Sequence, residues 1–363
     1  MSRPVVLDCR IARRRETGGA RYARGLAERL PRTPGAPPVR VAMGPPPLPR
    51  RNVLTSLANL LLDLVHTHVT LPALAARHRA AAIHCTFNWA PVWAPCPVVV
   101  TVHDLSWERA PEAYPGGFRR FAQIFTRLSV RTAARVIAVS KATADDLVEL
   151  YGADPGRIDV VYTGIDGIDD PAAPPDPSRE RMVLHVGEFE PRKRVPALVE
   201  GFRAFRATPG GEGWRLVLAG RGGSDADAVA AAARGADAVE MAGFVGDREL
   251  HSLYRRAALL VSASRWEGFC LPVAEALHAG CPVLVADTPA LREAGGEDAL
   301  VIPPPCDAAA VSRALGDATR DTDDLARRGA RGVSHARRFG WQRCIDDTLA
   351  VYARVGTTGD RHR

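Results

Sequence analysis

The stretch Ser264-Arg-Trp-Glu-Gly-Phe-Cys-Leu-Pro-Val-Ala-Glu-Ala-Leu-His-Ala-Gly-Cys-Pro-Val283 reads as a loop that turns into a helix and then a strand. Pro272 suits a first helical position, because its fixed φ matches the helix and its missing N–H has no partner there in any case. A helix is therefore expected from Pro272 to His278, stopping at Gly280. Glu275 then falls in the first turn and Glu267 in the preceding loop. The backbone N–H groups of Phe269 to Val273 point out of the helix start, where aligned peptide dipoles favour an anion such as a phosphate. An anion site flanked by two hydroxyl-binding carboxylates suits a sugar nucleotide. Acidic residues near a helix start are also favoured by the dipole alone, so a purely local role for Glu275 is equally compatible with its position.

Working outward, short apolar runs alternate with longer helical patterns along the whole chain. Strands are expected at Val5 to Cys9, Val98 to Val102, Arg135 to Val139, Asp159 to Tyr162, Met182 to Val186, Leu216 to Ala219, Val239 to Met241, Leu259 to Ser262, Val283 to Ala286 and Ala299 to Ile302. Strand and helix in rotation imply α/β architecture with doubly wound parallel sheets. At 363 residues, two cores of similar size are the natural division. The proline-rich, aperiodic run Asp169-Asp-Pro-Ala-Ala-Pro-Pro-Asp-Pro177 marks the break. The expected organisation is a Rossmann-like domain over 1–168, a linker over 169–178, a second Rossmann-like domain over 179–335, a C-terminal helix over 336–355 and a flexible tail over 356–363. A second proline cluster, Pro31 to Pro49, reads as a surface loop. Ligands of doubly wound sheets sit beyond the carboxyl ends of the strands, so two such domains imply a cleft between them.

The apolar fraction of 46% is that of an ordinary globular protein. No run of about eighteen apolar residues is apparent, and Met1 to Asp8 reads as a strand rather than a signal peptide, which leads to the expectation of a soluble, cytoplasmic protein. The seven cysteines, at 9, 85, 96, 270, 281, 306 and 344, form no Cys-x-x-Cys pair and are odd in number, which argues for buried thiols over a zinc ribbon or a disulfide framework. His66-Thr-His68 lacks a third ligand of suitable spacing, and no metal is expected. Residues 1–168 hold 22 Arg/Lys and 13 Asp/Glu, net +9, and the remainder is net −2. A basic half suits an anionic acceptor or a membrane surface; no nucleic-acid-binding motif accompanies it, and nucleic acid is not an expected partner.

The Ser264 to Val283 stretch closely resembles the Glu-Gly-Phe-Gly-Leu-Pro-x-x-Glu-Ala signature of retaining GT-B glycosyltransferases of family GT4. Further motifs of that family appear in the same order. Only two lysines, Lys141 and Lys193, stand against 46 arginines. Lys193 lies in Val186-Gly-Glu-Phe-Glu-Pro-Arg-Lys-Arg194, after the first strand of the second domain, where a compact ammonium reaches phosphate as a point charge. The run resembles the family's Gly-x-x-x-Pro-Arg-Lys-Asn loop, whose cations neutralise the donor diphosphate. Many relatives carry arginine directly after the glycine, where this chain has Glu188, which puts the cationic role on Arg192 and Lys193. Thr17-Gly18-Gly19-Ala-Arg-Tyr22 opens a helix after the first strand and is similar to the loop that closes over the diphosphate and acceptor; paired glycines let backbone approach a bound group. The dehydrogenase fingerprint Gly-x-Gly-x-x-Gly is absent after that strand. Val99-Val-Thr-Val-His-Asp-Leu105 resembles the family's Thr-x-His-Asp-Leu strand end and places His103 near the reacting sugar, with Asp104 equally suited to holding the loop. Ser140 reads as a helix N-cap. The Gly243 to Leu250 run, with Phe244 and Val245, is similar to the loop that contacts the nucleobase, and Arg221 is a candidate for the same pocket.

The resemblance spans about residue 3 to residue 305. It implies a GT-B fold and transfer of a hexose from a nucleoside diphosphate sugar to an acceptor hydroxyl with retention, without a metal or other cofactor. The implied catalytic set is His103, Glu267, Arg192 and Lys193. The implied donor-binding set adds Gly18, Gly19, Phe244, Val245, Gly268, Phe269, Cys270, Leu271 and Glu275, with Glu275 on the ribose and Glu267 with the following N–H groups on the sugar hydroxyls. The Pro-Arg-Lys loop and the His-Asp-Leu strand most resemble those of bacterial mannosyl- and rhamnosyltransferases, which favours GDP-mannose as donor over UDP- or dTDP-sugars. The acceptor class is a glycan, a glycolipid or a small natural product, with peripheral contact at the inner face of a membrane if it is lipid-linked. A nonhydrolysing sugar-nucleotide epimerase and a non-catalytic sugar-nucleotide-binding protein are the alternatives from other classes.

Overall fold

The computed structural model describes residues 3–13, 17–49, 53–166 and 179–358. Among the described residues, twelve short strands form two parallel six-stranded sheets. The first contains β1 Val5–Asp8, β2 Val39–Ala42, β3 Ala82–Cys85, β4 Val98–Val102, β5 Arg135–Ala138 and β6 Ile158–Val160, in the order β2-β1-β3-β4-β5-β6. The second contains β7 Glu180–Val186, β8 Arg215–Ala219, β9 Val239–Gly243, β10 Ala257–Ser262, β11 Val283–Ala286 and β12 Leu300–Ile302, in the order β12-β11-β10-β7-β8-β9. The second order is that of the Rossmann fold, with the reversal between β7 and β10. Both halves are Rossmann-like, as a GT-B fold requires.

Two compact units divide the chain. One holds Met1–Glu108, Tyr114–Gly164 and Trp341–Arg363; the other holds Arg109–Ala113 and Ile165–Gly340. The divide thus falls at Gly164/Ile165 rather than after Ile168. The expected linker, 169–178, lies outside the described residues. The last helix, Trp341–Thr358, belongs to the first unit and begins at 341 rather than 336. It continues through Gly356, where a tail was expected, and residues 359–363 lie outside the described residues.

In the first unit, side chains of successive strand residues enter opposite cores, as a parallel sheet covered on both faces demands. Val5 and Leu7 of β1, Val99 of β4 and Ile137 of β5 pack with Tyr22 and Leu26 of the Gly18–Arg29 helix and with Trp341, Ile345 and Tyr352 of the last helix. Val6, Val100 and Val136 pack on the other face with Leu71, Ala122 and Leu147. Trp341 also seats against bare backbone: a Cβ added at Gly25 would meet its ring at 2.0 Å.

Two strands were not legible. β2 lies inside the proline-rich segment expected to be a loop. It is an edge strand with three of four residues at least partly exposed, so it lacks an apolar signature and tolerates prolines on both sides. β3, Ala-Ile-His-Cys, is fully buried between β1 and β4, but its histidine breaks the apolar run. His84 is accommodated by two hydroxyls, Tyr352 at 2.7 Å from Nδ1 and Thr101 at 2.8 Å from Nε2. Burial holds the His84 imidazole down at about 3 and that of His185, on β7, at about 4. Both folded-state values lie below that of an unfolded histidine. The stability these neutral rings supply is therefore complete above about pH 6.5 and is lost as the pH falls toward the folded values, at up to about 1.4 kcal/mol per pH unit for each ring. The melting temperature is expected to drop between pH 7 and pH 5. A His84→Asn variant melts lower at pH 7 but falls less steeply; an equal slope would refute the assignment.

The expectation of no membrane-length segment is also corrected. The helical stretch Leu54–Arg77 is 24 residues long, with mean hydropathy 1.2 over an 18-residue window, long and apolar enough by length and composition to cross a bilayer. Asp63, His66 and His68 interrupt it in the sequence, which is why no unbroken run is visible.

Candidate functional site

In the second unit the chain order reverses between β7 and β10, and the loops leaving their carboxyl ends lie side by side. This is where open α/β sheets place ligands. After β7 the chain passes through Gly187, at φ 152°, and the short turn Pro191–Lys193 before the Val195–Arg206 helix. After β10 it forms the Glu267 loop and enters the Leu271–His278 helix. The Arg265 N–H donates to the Arg192 carbonyl at 2.7 Å, and the Arg192 guanidinium donates to the Trp266 carbonyl at 2.9 Å.

The two loops converge on one carboxylate. Glu267 Oε2 lies 2.8 Å from Arg192 Nη1, and Oε1 accepts from Lys193 Nζ at 3.0 Å and from Ser264 Oγ at 2.9 Å. Arg192 Nε is 2.8 Å from Glu190 Oε2. Lys193 and Glu267 are both buried. Burial alone raises the Glu267 pKa, but the charges of Arg192 and Lys193 and their hydrogen bonds outweigh it and hold the carboxyl at about 2. Glu267 is thus a carboxylate with both oxygens engaged, and Lys193 is built into the loop rather than extended into solvent. Sequence separation hid this pairing.

The helix start differs from expectation in detail. It begins at Leu271, so Glu275 lies past the first turn. Glu275 is buried, and its Oε2 accepts from the Tyr254 hydroxyl at 2.8 Å. Of the N–H groups expected to face outward, that of Val273 donates to the Cys270 carbonyl at 3.1 Å, and Pro272 has none. Cys270 stands where the family signature has glycine, and it adopts a left-handed φ of 73°. That conformation favours glycine and costs a side chain about 1 kcal/mol or more. Gly268 and Phe269 precede it in the loop. Cys270→Gly is therefore expected to raise the melting temperature by a few degrees, about 1 kcal/mol; a lower melting temperature would show that the buried thiol contributes more than the strain.

Further along the carboxyl edge, the Arg221 guanidinium lies 4.2 Å over the Phe244 ring, beside Val245. Phe244 is half-exposed. The loops after β8 and β9 thus bring the Arg221 guanidinium and the Phe244 ring together.

In the first unit the order reverses between β1 and β3. Thr17 caps the Gly18–Arg29 helix by accepting from Ala20 N–H. Gly19 is packed so closely that a Cβ there would come 3.0 Å from the Phe87 ring and 3.6 Å from His103 Nε2. His103 follows β4; its Nε2 contacts the Thr86 carbonyl at 2.9 Å, so Nε2 carries the proton and Nδ1 the lone pair. Its ring packs edge-on to Tyr22 and against Phe87. Burial lowers its pKa, and it is neutral at pH 7. Asp104 accepts from Ser106 N–H and Oγ at 3.1 and 2.7 Å and so holds its own loop. Ser140 caps the Lys141–Tyr151 helix through Thr143 N–H.

One constellation was missed. Asp8, at the end of β1, lies 2.9 Å from the Arg10 guanidinium and 3.2 Å from His66 Nε2, all three buried. Burial raises the Asp8 pKa, but Arg10 and His66 outweigh it and hold it low. An acid at the carboxyl end of a buried strand was the available signal. His68 does not join this group. Among the described residues no cluster of three or more His, Cys, Asp or Glu is arranged to hold a metal. All seven cysteines are free thiols, six of them buried and Cys96 partly so.

Known proteins resemble the chain in both halves. Residues 168–334 match the family described as glycosyl transferases group 1, and residues 14–167 match glycosyltransferase family 4. The chain is 28% identical to O-antigen chain mannosyltransferase B of Escherichia coli over 70% of its own length and 69% of that protein's. It is 30% identical to a D-inositol 3-phosphate glycosyltransferase of Xylanimonas cellulosilytica over 81% and 72%. Alignments with some other D-inositol 3-phosphate glycosyltransferases span only 51–66% of those proteins. Among solved structures, Anabaena HepE in complex with UDP and glucose superposes with a TM-score of 0.72 over 97% of this chain and 100% of that one, at 18% identity, a likeness of fold. With the signature loop, the Arg192–Lys193–Glu267 cluster and both halves matched, the chain belongs to the GT4-type glycosyltransferases, GT-B enzymes that draw on a nucleotide-sugar donor.

Proposed function

We propose that the protein transfers a hexose from a nucleoside diphosphate sugar to an acceptor hydroxyl with retention of anomeric configuration, and that the donor is GDP-mannose. The observation that carries this reading is the convergence of Arg192, Lys193 and Glu267 at the β7/β10 reversal, next to the start of the Leu271–His278 helix. As the bond between sugar and diphosphate breaks, negative charge grows on the phosphate oxygens. Cations and helix-start N–H groups fixed beforehand stabilise that charge without reorganising. Arg192, Lys193 and Leu271 take this part. Glu275 accepts the ribose hydroxyls, and Glu267 with Gly268, Phe269 and Cys270 positions the sugar. Phe244 and Val245 take the base, with Arg221 stacked behind the ring.

Because Glu267 is ion-paired through both oxygens, it is a poor nucleophile, which favours attack from the leaving-group face over double displacement. The departing phosphate oxygen accepts the acceptor proton. His103 and the Gly18-Gly19 turn of the first unit are assigned to the sugar and the acceptor. Likeness to a mannosyltransferase supports the GDP-mannose choice, and the UDP and glucose bound to HepE support a UDP-hexose as the second reading. The basic first half suits a lipid-linked glycan acceptor met at the cytoplasmic face of a membrane.

Thermal-shift ranking of GDP, UDP and dTDP, followed by incubation with the matching sugars, tests the proposal. GDP is expected to stabilise most, with slow release of diphosphate from GDP-mannose; epimerised sugar, or binding without turnover, would overturn it. Glu275→Ala should weaken donor affinity roughly tenfold or more, by the loss of charge-assisted hydrogen bonds. Undiminished affinity would refute the ribose assignment.

A further inference from the structure

A stripe of large apolar side chains runs unburied along the first unit's Leu54–Arg77 stretch. Leu54, Leu57, Leu61, Val65 and Val69 follow one another at three- and four-residue spacing and are 46–74% exposed. The opposite face is tied down. Asn59 exchanges two hydrogen bonds with the Leu48 backbone, His66 reaches Asp8, Thr67 bonds the Arg10 guanidinium, and Leu71 and Ala75 enter the core. Only 28% of the most apolar window is buried, so this is not the core helix that its composition would suit. Nor does it span a bilayer, since leaving the sheet would take His66 from buried Asp8 and Thr67 from buried Arg10.

The exposed stripe continues onto its neighbour. The His68 ring lies 6.1 Å from Phe125 of the Gly116–Thr132 helix, and the Val92 N–H contacts His68 Nδ1 at 3.5 Å. That helix exposes Ile124 and Leu128, and the loop between exposes Trp93, at 72%. Arg120 and Arg131 are exposed on the same helix. Segments 53–79 and 116–132 together contain six arginines and a single acid, Asp63. A contiguous apolar surface of this kind marks an interaction site, and its rim is cationic.

We propose that this face docks on an anionic lipid bilayer, with the 54–77 stretch lying in the plane of the interface. It buries its leucines and valines at the level of the acyl boundary, Trp93 sits among the headgroups, and the arginines meet lipid phosphates. Charge complementarity selects this occupant over a second copy of the chain, whose equally basic half would repel the first. The inference extends the peripheral membrane contact proposed above by naming the surface that makes it. Vesicle binding needs neither donor nor acceptor, so its failure leaves the sugar-transfer reading standing.

The test is co-flotation of the full-length protein with phosphatidylcholine vesicles, with and without phosphatidylglycerol. Binding is expected with the anionic vesicles and is weakened by salt. A Leu57→Ser/Leu61→Ser variant should bind roughly tenfold or more weakly at unchanged melting temperature, because interfacial affinity follows buried apolar area. Arg120→Gln/Arg131→Gln should narrow the preference for anionic over neutral vesicles. If the double serine variant is unstable, Val69→Ser on the same stripe reads the same loss. No binding, equal binding to both vesicle types, or binding indifferent to the stripe would overturn the proposal. So would a concentration-dependent dimer that the serine variant abolishes, which would show a second copy covering the stripe.

Discussion

Lys193→Ala is expected to lower kcat/KM by roughly 10²–10³-fold, the scale set by losing one prearranged group from a developing anion. The same change is expected to cost about 2–4 kcal/mol of stability. Lys193 is buried against Glu267, and removing it leaves a carboxylate whose burial is compensated by Arg192 and Ser264 alone. The Glu267 pKa, about 2 with both cations in place, must then rise. That depressed value means the carboxylate's stabilising contribution is present above about pH 4.5 and fades as the pH falls toward 2; in the variant the folded value moves toward the unfolded one, so the acid loss of stability carried by Glu267 is smaller. Lys193→Met combined with Glu267→Gln separates structure from function. It removes both charges together, so stability recovers in large part while turnover stays low. Turnover that recovered with stability would make the pair a structural bridge only.

Gly220→Ala is the second large effect. A Cβ there would lie 1.9 Å from the carbonyl oxygen of Gly187, and the obstacle is backbone rather than a flexible side chain. Neither strand yields easily: the Gly187 N–H donates to Ala219, the Gly220 N–H donates to Gly243, and β7 and β8 are in register up to Val186 and Ala219. Overpacking against fixed backbone is expected to cost roughly 3 kcal/mol or more. Any folded fraction should also lose donor affinity, because the displaced segment leads directly into Arg192 and Lys193. Gly316→Ala, in a helix with nothing within 4 Å, is the control and should melt at or slightly above the parent temperature. Chemical denaturation of both variants measures the difference; a Gly220→Ala protein as stable as the parent would mean that the two loops are not rigidly joined.

These effects depend on groups that the sequence advertises unequally. The strands β4, β10 and β11 are apolar except for Thr101 and Ser262, and β7 carries the apolar run Met182 to Leu184, because parallel strands are buried on both faces; their positions follow from composition alone. β2, half-exposed at the edge, and β3, interrupted by His84, carry no such signature, and their place in the sheet is set by the neighbours that pair with them. The start of the 271–278 helix was legible from Pro272 to within one residue. The left-handed Cys270 ahead of it was not, since only backbone geometry distinguishes that position from an ordinary loop residue.

By itself, the sequence determined the two-domain α/β class, the loop-to-helix transition at Pro272 and the identity of the charged residues around it, because periodicity, proline position and residue type are local properties. Only the tertiary structure decided how those charges are used. Arg192 and Lys193 stand about seventy-five residues from Glu267 in the chain, and pairing across that distance exists only because strand crossover brings β7 beside β10. The exposed stripe on the 54–77 stretch has the same origin. Its apolar composition would fit a core as well as a surface, and the choice was made by Asn59, His66 and Thr67, whose bonds to the Leu48 backbone, Asp8 and Arg10 turn the leucines outward.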